Sequence, residues 1–279
     1  MSSEQHFGGD WTKEKLDMFS GYLDAYLMAL QKMNFKKIYI DAFAGTGTIT
    51  LKGGQLEIAG STKIALMAKR QFDSYYFIEN DADKALVLSE MIEREFPNLK
   101  NCVTVCRGDA NNVLMQLCKA IDWRYSRALL FVDPFATEFA WSTLEMIGQT
   151  KAFDVWYLFP LVALQRMLPR KGVIEPTWRT CINRLLGDDK WEDAFYKEDP
   201  QIDLFGTTSV YKDVNTDSLK AYIVARLKTV FPAVADNPKT FLNKKNSPLF
   251  LFCFAVASDN PRAQALALRI AQHILNAKG

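Results

Sequence analysis

Three acidic residues follow short apolar segments of this chain, where carboxylates can meet a ligand. The segment Ile38-Tyr-Ile-Asp-Ala-Phe-Ala-Gly45-Thr-Gly47 ends in Asp41 and a glycine turn. Tyr75-Tyr-Phe-Ile runs into Glu79, and Cys102 to Arg107 runs through Gly108 to Asp109. Because the carboxyl ends of parallel strands line the ligand crevice of an open sheet, these acids predict one cofactor site. Singly, each acid is better explained as a helix cap or turn residue, and the prediction depends on all three together.

The glycine loop favours one cofactor class over another. A dinucleotide fingerprint requires three glycines opening a helix and an acid about 20 residues further on. Here Thr50 stands where the third glycine belongs, and Glu79 comes after a longer loop. S-adenosylmethionine has no pyrophosphate to seat at a helix N-terminus, so its glycines need only let the backbone approach. The sequence therefore predicts S-adenosylmethionine, with a nicotinamide enzyme as the disfavoured alternative.

Each predicted cofactor residue has an expected role. Asp41 is expected to meet the cationic methionine end, directly or through water, beside the amides of Ala44 to Gly47. Glu79 is expected to accept both ribose hydroxyls, and Asp109 with the Ala110 amide to bind the adenine edge. The full predicted set is Asp41, Phe43, Ala44, Gly45, Gly47, Glu79, Asn80, Asp109 and Ala110.

Composition limits the classes of protein to consider. The 279 residues are 49% hydrophobic, enough to bury a large core, and the net charge of +2 is no polyanion-binding signature. The five cysteines are scattered without the paired spacing of a metal site, so we expect reduced thiols and no metal. No apolar run approaches the roughly 20 residues that span a bilayer, so a cytoplasmic protein is expected.

Alternating strand and helix patterns must position these acids. Helical spacing from Trp11 to Lys32 precedes the first strand, with Thr12 as a plausible cap, and Ser61 is expected to cap a helix after it. Further strands are predicted at 74–78, 102–107, 128–132, 153–159 and 249–257, with helices at 81–96, 111–121 and 141–149 between them. The alternation predicts an α/β fold with a Rossmann-like parallel sheet and helices on both faces. Predicted boundaries are 1–160 for the cofactor-binding core, 161–238 for a mostly helical insertion or lid, and 239–279 for the strand and helix completing the core.

A fourth acid closes the segment Ala128-Leu-Leu-Phe-Val-Asp133-Pro134-Phe135. It resembles the Asp/Asn-Pro-Pro-aromatic loop of amine-directed methyltransferases, with one proline fewer. In that loop the acid or amide and a proline carbonyl accept hydrogen bonds from the amine, while the aromatic ring stacks on the base. The resemblance implies catalytic roles for Asp133, Pro134 and Phe135, and an acceptor contact for Phe135. An ordinary Asp-Pro turn is the alternative.

The chain as a whole resembles the three-Cys-motif partner protein (TcmP) family. The resemblance is carried by Phe7-Gly-Gly-Asp-Trp-Thr-Lys-Glu-Lys-Leu16, Tyr39 to Gly47, Phe77-Ile-Glu79, Gly108-Asp109, Phe131 to Phe135, and Pro248 to Pro261. It implies a class I S-adenosylmethionine-dependent methyltransferase-like fold and association with a radical-SAM-like protein bearing three cysteines. Two functions stay open: methyl transfer to an amine nitrogen, perhaps of a nucleobase, and a catalytically inert docking subunit for that partner.

Two further groups of residues are candidates for the substrate side. Trp11, Thr12 and Lys15 precede the first strand and are hypothesised to fold over the cofactor mouth, with a helix cap and a packed tryptophan as the alternative. Lys244 and Lys245 are predicted substrate-binding residues in a basic rim for a nucleic-acid backbone, together with Lys239, Arg166, Arg170 and Lys171. A solvated surface is the alternative for these lysines and arginines.

Overall fold

The structure, a computed structural model, describes residues 10–50, 57–171, 173–202 and 208–277. The first three residues of the TcmP-like N-terminal match, Phe7 to Gly9, lie outside these ranges. The strands are β1 Lys36–Asp41, β2 Thr48–Thr50, β3 Glu57–Ala59, β4 Ser74–Glu79, β5 Val103–Arg107, β6 Ser126–Val132, β7 Phe153–Phe159, β8 Tyr196–Ile202, β9 Thr208–Lys212, β10 Ala233–Val234, β11 Lys239–Leu242 and β12 Pro248–Val256.

The helices alternate with the strands of the first half and dominate the segment after β7. They are α1 Asp10–Ala29, α2 Ser61–Leu66, α3 Ala82–Glu95, α4 Ala110–Ala120, α5 Trp141–Thr150, α6 Leu161–Met167, α7 Pro176–Leu186, α8 Trp191–Phe195, α9 Thr216–Lys228 and α10 Pro261–Asn276. None of the helices in the described ranges is long and apolar enough to cross a bilayer.

One mixed sheet forms the centre of the molecule. Its described strands run in the order β10-β12-β7-β6-β1-β4-β5, with β11 paired to β12. Strands β5, β4, β1, β6 and β7 are parallel, whereas β12 is antiparallel to β7 and to both β10 and β11. The chain leaves β1 towards β4 on one side and returns to β6 on the other, which creates a topological switch point. The predicted Rossmann-like α/β fold with helices on both faces is confirmed.

Both faces of the sheet are buried, which explains why its strands read as continuous apolar runs. Ile38 and Ile40 of β1 face a cluster that includes side chains of α4, α5, α7 and α9. Tyr39 between them faces a second, more aromatic cluster with side chains of α1, α2, α3 and α10. Two hydrophobic layers, one on each face, therefore pack the sheet against the helices.

Helix α1 is fixed to the second face by aromatic contacts. The Phe19 ring lies 4.4 Å from the Phe131 ring of β6, and the Tyr22 ring lies 5.3 Å from the Trp156 ring of β7. The Tyr22 hydroxyl also donates a 2.6 Å hydrogen bond to the buried Asp154. One turn before Phe19, the helix reaches the carboxyl end of β6.

The structure differs from the predicted elements at several places. Helix α1 ends at Ala29, and Thr12 lies inside it rather than capping it. Ser61 is the first residue of α2 but does not cap it, because the preceding Gly60 occupies the cap position and the Ser61 hydroxyl donates to Asp41 instead. The polar segment after β1 forms a hairpin, β2 with β3, whose tip lies outside the described residues.

The segment 161–238 contains more than helices. Helices α6 to α9 are accompanied by the antiparallel pair β8 and β9, and by β10, which pairs with β12 of the main sheet. Strand β11 was also not predicted. Strands β10 and β11, of two and four residues, are too short to show an alternation of apolar and polar residues, so their sequences do not predict them.

Gly187 closes the contact between α7 and α5. It follows α7 with a φ of +76°, and a Cβ built on it would lie 2.0 Å from Cδ1 of the buried Trp141. Gly45, in the loop after β1, also has a positive φ of +59°, but no atom lies within 4 Å of its added Cβ. Substitution of either glycine would therefore strain the backbone, but only substitution of Gly187 would also create a steric overlap.

We predict that Gly187→Ala destabilises the protein more than Gly45→Ala. Both substitutions place an L-residue in the left-handed region, at a cost of about 1–2 kcal/mol. Only Gly187→Ala adds overlap with Trp141, which costs about 1–3 kcal/mol further. Urea unfolding of the two variants and the wild type measures the difference, and equal losses would contradict the proposed packing role.

Candidate functional site

The predicted acids share one edge of the sheet because their strands are neighbours in register. Asp41 lies opposite Phe77 of β4 on one side and Phe131 of β6 on the other. Glu79 lies two residues beyond Phe77 and pairs with Arg107, which precedes Gly108 and Asp109. The loops after β1, β4, β5 and β6 therefore meet at one carboxyl edge, at the switch point between β1 and β6.

Glu79 connects the first two of these loops. Its Oε2 accepts a 2.9 Å hydrogen bond from the Gly45 amide, and its Oε1 accepts a 2.8 Å hydrogen bond from the Asp81 amide. A carboxylate has about four acceptor positions, so two backbone bonds leave capacity for further donors. Asn80, next to Glu79, is exposed. The open space beside Gly45 lies next to this carboxylate, as expected of a loop approached closely by a ligand.

Asp41 is held inside the protein. Its side chain is 0% exposed, and its Oδ2 accepts hydrogen bonds from the hydroxyls of Ser61, Thr62 and Tyr39 at 2.6, 3.3 and 3.2 Å. The Phe43 amide donates to Oδ1 at 3.3 Å. Burial raises the pKa of Asp41 to about 6, against the lowering effect of these hydrogen bonds, and the nearby Asp133 adds to the rise. Asp41 thus ties α2 to the end of β1.

Asp109 caps a helix and stands beside other acids. It accepts a 3.0 Å hydrogen bond from the Asn112 amide at the start of α4, where Ala110 is the first helical residue. The first amides of a helix have no partner within the helix, which leaves the Ala110 amide as a donor for a ligand. Desolvation raises the pKa of Glu138, and the charges of Asp109 and Glu79 add to that rise. The loops that carry these acids therefore converge.

Asn111 attaches the Asp133 loop to α4. Its Nδ2 donates to the Glu138 carbonyl at 2.9 Å, and its Oδ1 accepts from the Ala140 amide and the Thr143 hydroxyl, both at 2.8 Å. Asn111 was not among the predicted site residues. Its position two residues after Asp109 was the available signal.

Asp133 forms an ion pair with Lys15 of α1. The lysine side chain is 3% exposed and the aspartate side chain 29% exposed. The Lys15 Nζ also lies 5.3 Å from the Trp11 ring centre and 5.8 Å from the Phe131 ring centre. The start of α1 thus reaches the carboxyl end of β6. That Trp11, Thr12 and Lys15 cover the cofactor mouth stays a prediction.

The rest of the Asp133 loop presents an aromatic ring. Pro134 is buried, whereas Phe135 is 53% exposed. Ala136 has a φ of +51°, a conformation that costs an L-residue about 1 kcal/mol. This turn directs the chain back, and Thr137 then contacts α7 through its carbonyl, which accepts a 2.7 Å hydrogen bond from Arg184.

Lys244 and Lys245 lie in the turn between β11 and β12. The Asn243 side chain accepts from the amides of Lys245 and Ser247 at 2.8 and 3.0 Å, and both lysines are exposed. The turn lies beyond the carboxyl end of β7, because Leu251 of β12 pairs with Phe159. Trp11 packs on Phe250 and Phe241 and so connects this hairpin to α1. The lysines share the site's edge, and their role as a nucleic-acid rim stays a prediction.

Comparison with known proteins adds likenesses of fold. No protein-family model matches the chain, and no curated protein matches it. Similar solved structures include a DUF519-family protein from Legionella pneumophila, at 14% identity over 97% of this chain and 94% of that one, with a TM-score of 0.49. Spermidine synthase from Thermotoga maritima is 13% identical over 90% of this chain and 63% of its own, with a TM-score of 0.42. A putative methyltransferase from Escherichia coli is 12% identical over 76% and 90%, with a TM-score of 0.32.

We predict that Asp41 makes the wild type lose stability as the pH rises from about 4 to about 6. Its pKa of about 6 in the folded chain exceeds the unfolded value of about 4, so the folded state binds more protons in this window. Ionisation then disfavours the folded state. Asp41→Asn cannot titrate, so the free energy of unfolding of the variant minus that of the wild type is expected to rise across the same window.

Urea unfolding at intervals between pH 3.5 and pH 7.5 measures this difference. Asp154, whose pKa burial also raises to about 6, titrates in both proteins and cancels. A difference that falls with pH would contradict the assigned environment of Asp41.

Proposed function

We propose that this chain is an S-adenosylmethionine-dependent methyltransferase of the three-Cys-motif partner type, acting on an amine nitrogen of a nucleobase. The observation that carries the proposal is the register of β5, β4, β1 and β6, which brings the strand ends before Asp109, Glu79 and Asp133 to the same side of the sheet. The Gly45 amide is bonded to Glu79 there. Sites for small ligands in open α/β sheets occur at this place.

The residues present suit an adenosyl group. Glu79 retains acceptor positions for ribose hydroxyls, and the Gly45 backbone borders open space beside it. Asp109 and the Ala110 amide supply an acceptor and a donor, the pair that an adenine edge requires. Asn80 is exposed next to Glu79, and Gly47 lies in the loop before β2. The Ala44 amide, by contrast, donates a 2.9 Å hydrogen bond to the Ile78 carbonyl, so it is not available to a ligand.

Asp41 contributes in a different way from that first expected. Its carboxylate is already saturated by hydroxyl and amide donors and is fully buried. We propose that it acts on the cofactor through Ser61, Thr62 and Phe43, whose positions it sets. This role differs from the predicted one, which was a contact with the methionine end made directly or through water.

The bound cofactor would supply an electrophilic methyl group on a sulfonium. The lone pair of the acceptor nitrogen would form the new N–C bond while the S–C bond breaks. The electron pair of the S–C bond would go to sulfur, and the nitrogen would then release a proton to solvent. Asp133 and the Pro134 carbonyl would accept hydrogen bonds from the amine and aim that lone pair, while the Phe135 ring stacks on the base. Orientation of this kind can lower the barrier substantially.

A docking subunit for a radical-SAM-like three-Cys-motif protein is the second candidate function. The observation that favours it is the ion pair between Lys15 and Asp133, because the predicted catalytic carboxylate already has a charged partner. The two candidates differ in one measurable respect. Methyl transfer by the purified chain alone excludes an inert subunit.

We predict that the wild type binds S-adenosylmethionine and its demethylated product, and that Glu79→Ala weakens both by at least tenfold. The substitution removes the acceptors of the ribose hydroxyls and the bond to the Gly45 amide, and tenfold corresponds to about 1.4 kcal/mol. Glu90→Ala, an exposed residue on the same strand-to-helix unit, is the matched control. Isothermal titration calorimetry measures all three, and a wild type without binding would exclude the enzyme.

We predict that Asp133→Ala lowers methyl transfer by at least about a hundredfold while cofactor binding persists, because the carboxylate orients only the acceptor. Transfer from labelled cofactor to total RNA and total DNA, with and without the radical-SAM-like partner, measures the loss. Asp133→Asn keeps an acceptor oxygen and is expected to retain more activity than Asp133→Ala. Unchanged transfer in Asp133→Ala would remove Asp133 from the site.

A further inference from the structure

The ammonium group of Lys15 is fixed at the predicted catalytic carboxylate. Lysine side chains on protein surfaces are usually solvated, but this one is 3% exposed and bonded to Asp133. Its Nζ lies near the faces of the Trp11 and Phe131 rings, which attract a cation. The ammonium therefore belongs to the built structure of the site.

The packing of α1 sets this position. Phe19, one helical turn after Lys15, packs against Phe131 of β6, and Asp133 lies two residues beyond Phe131 along the chain. One turn of helix covers about 5.4 Å and two strand residues about 6.6 Å, so the spacings of helix and strand match. Trp11, one further turn back, is held by Phe250 and Phe241. These ring contacts hold the backbone of α1 so that Lys15 lies beside the end of β6.

The ion pair changes what Asp133 can accept. A lone carboxylate attracts both neutral amines and ammonium ions, and ammonium ions more strongly. With Lys15 already bound, the pair carries no net charge, yet the exposed part of the carboxylate can still accept a hydrogen bond. A second cation at Asp133 would face the Lys15 charge in a partly desolvated setting, where like charges repel strongly.

We propose that Lys15 is a specificity-determining residue that restricts the acceptor to uncharged amines, such as the conjugated amines of nucleobases. Aliphatic amines, which are protonated at neutral pH, are excluded. This inference rests on the proposed function, since it assumes that Asp133 receives the acceptor amine. It deepens that function by separating a nucleobase from a polyamine or a lysine side chain on grounds of charge.

The test measures binding of spermidine, an aliphatic polyamine, by calorimetry without cofactor. The wild type is expected to show no spermidine binding that depends on Asp133. Lys15→Met keeps an unbranched, helix-compatible side chain but removes the charge, and is expected to bind spermidine at least about tenfold more tightly than the wild type. The double variant Lys15→Met/Asp133→Asn is expected to lose that gain.

Lys13→Met is the matched control for loss of a positive charge on α1. Lys13 is exposed and lies two residues before Lys15, so its removal leaves the Lys15 and Asp133 pair intact. Spermidine binding in this variant is expected to equal that of the wild type. Circular dichroism verifies folding, and Lys15→Gln, which can still donate a hydrogen bond to Asp133, replaces Lys15→Met if the latter does not fold.

Two results would overturn the inference. One is wild-type binding of spermidine that Asp133→Asn abolishes, and the other is a Lys15 variant that binds spermidine no better than the wild type. A purely structural lysine would change stability but not this selectivity. Because the assay contains no cofactor, its outcome is independent of the S-adenosylmethionine titration that tests the proposed function.

Discussion

The register of the three neighbouring parallel strands β4, β1 and β6 determines where the candidate site forms. Backbone hydrogen bonds place the ends of β4, β1 and β6 side by side, so the loops that follow them have one place to meet. Hydrophobic packing on both faces of the sheet keeps that register, because a slip by one residue would turn every buried side chain to the wrong layer. The positions of the loops after β4, β1 and β6 therefore depend on side-chain packing along the whole length of these strands.

Two acidic side chains at this edge are stabilised in different ways. Asp41 is surrounded by hydroxyl and amide donors, without a cation, and burial raises its pKa to about 6. Asp133 has a cation, Lys15, that is itself almost fully buried between aromatic rings. A buried charge without either kind of partner would cost several kcal/mol. Asp41 and Asp133 therefore both have partners within the protein.

The outer part of the site has the opposite character. Glu79 accepts two backbone hydrogen bonds and Asp109 accepts one, so both carboxylates keep acceptor capacity for a ligand. The Phe135 ring is half exposed on a turn that Asn111 and Arg184 tie to neighbouring helices. This division suits a site in which fixed residues set geometry and exposed acceptors bind ligands.

Much of this arrangement was readable from the sequence alone. Apolar runs ending in acids determined the strands, and their alternation with helices determined the parallel sheet, since both are local patterns. Glycines with positive φ in the first loop were also local signals. The strands β10 and β11 were not readable, because two and four residues are too few to show alternation and only pairing with β12 defines them as strands. Nor did local pattern reveal that the hydroxyls of Ser61 and Thr62 surround Asp41. The pairing of Lys15 with Asp133, 118 residues apart, was decided only by the packing of α1 on β6. Sequence determines which chemistry a strand end carries, whereas tertiary packing decides which charges stand next to it.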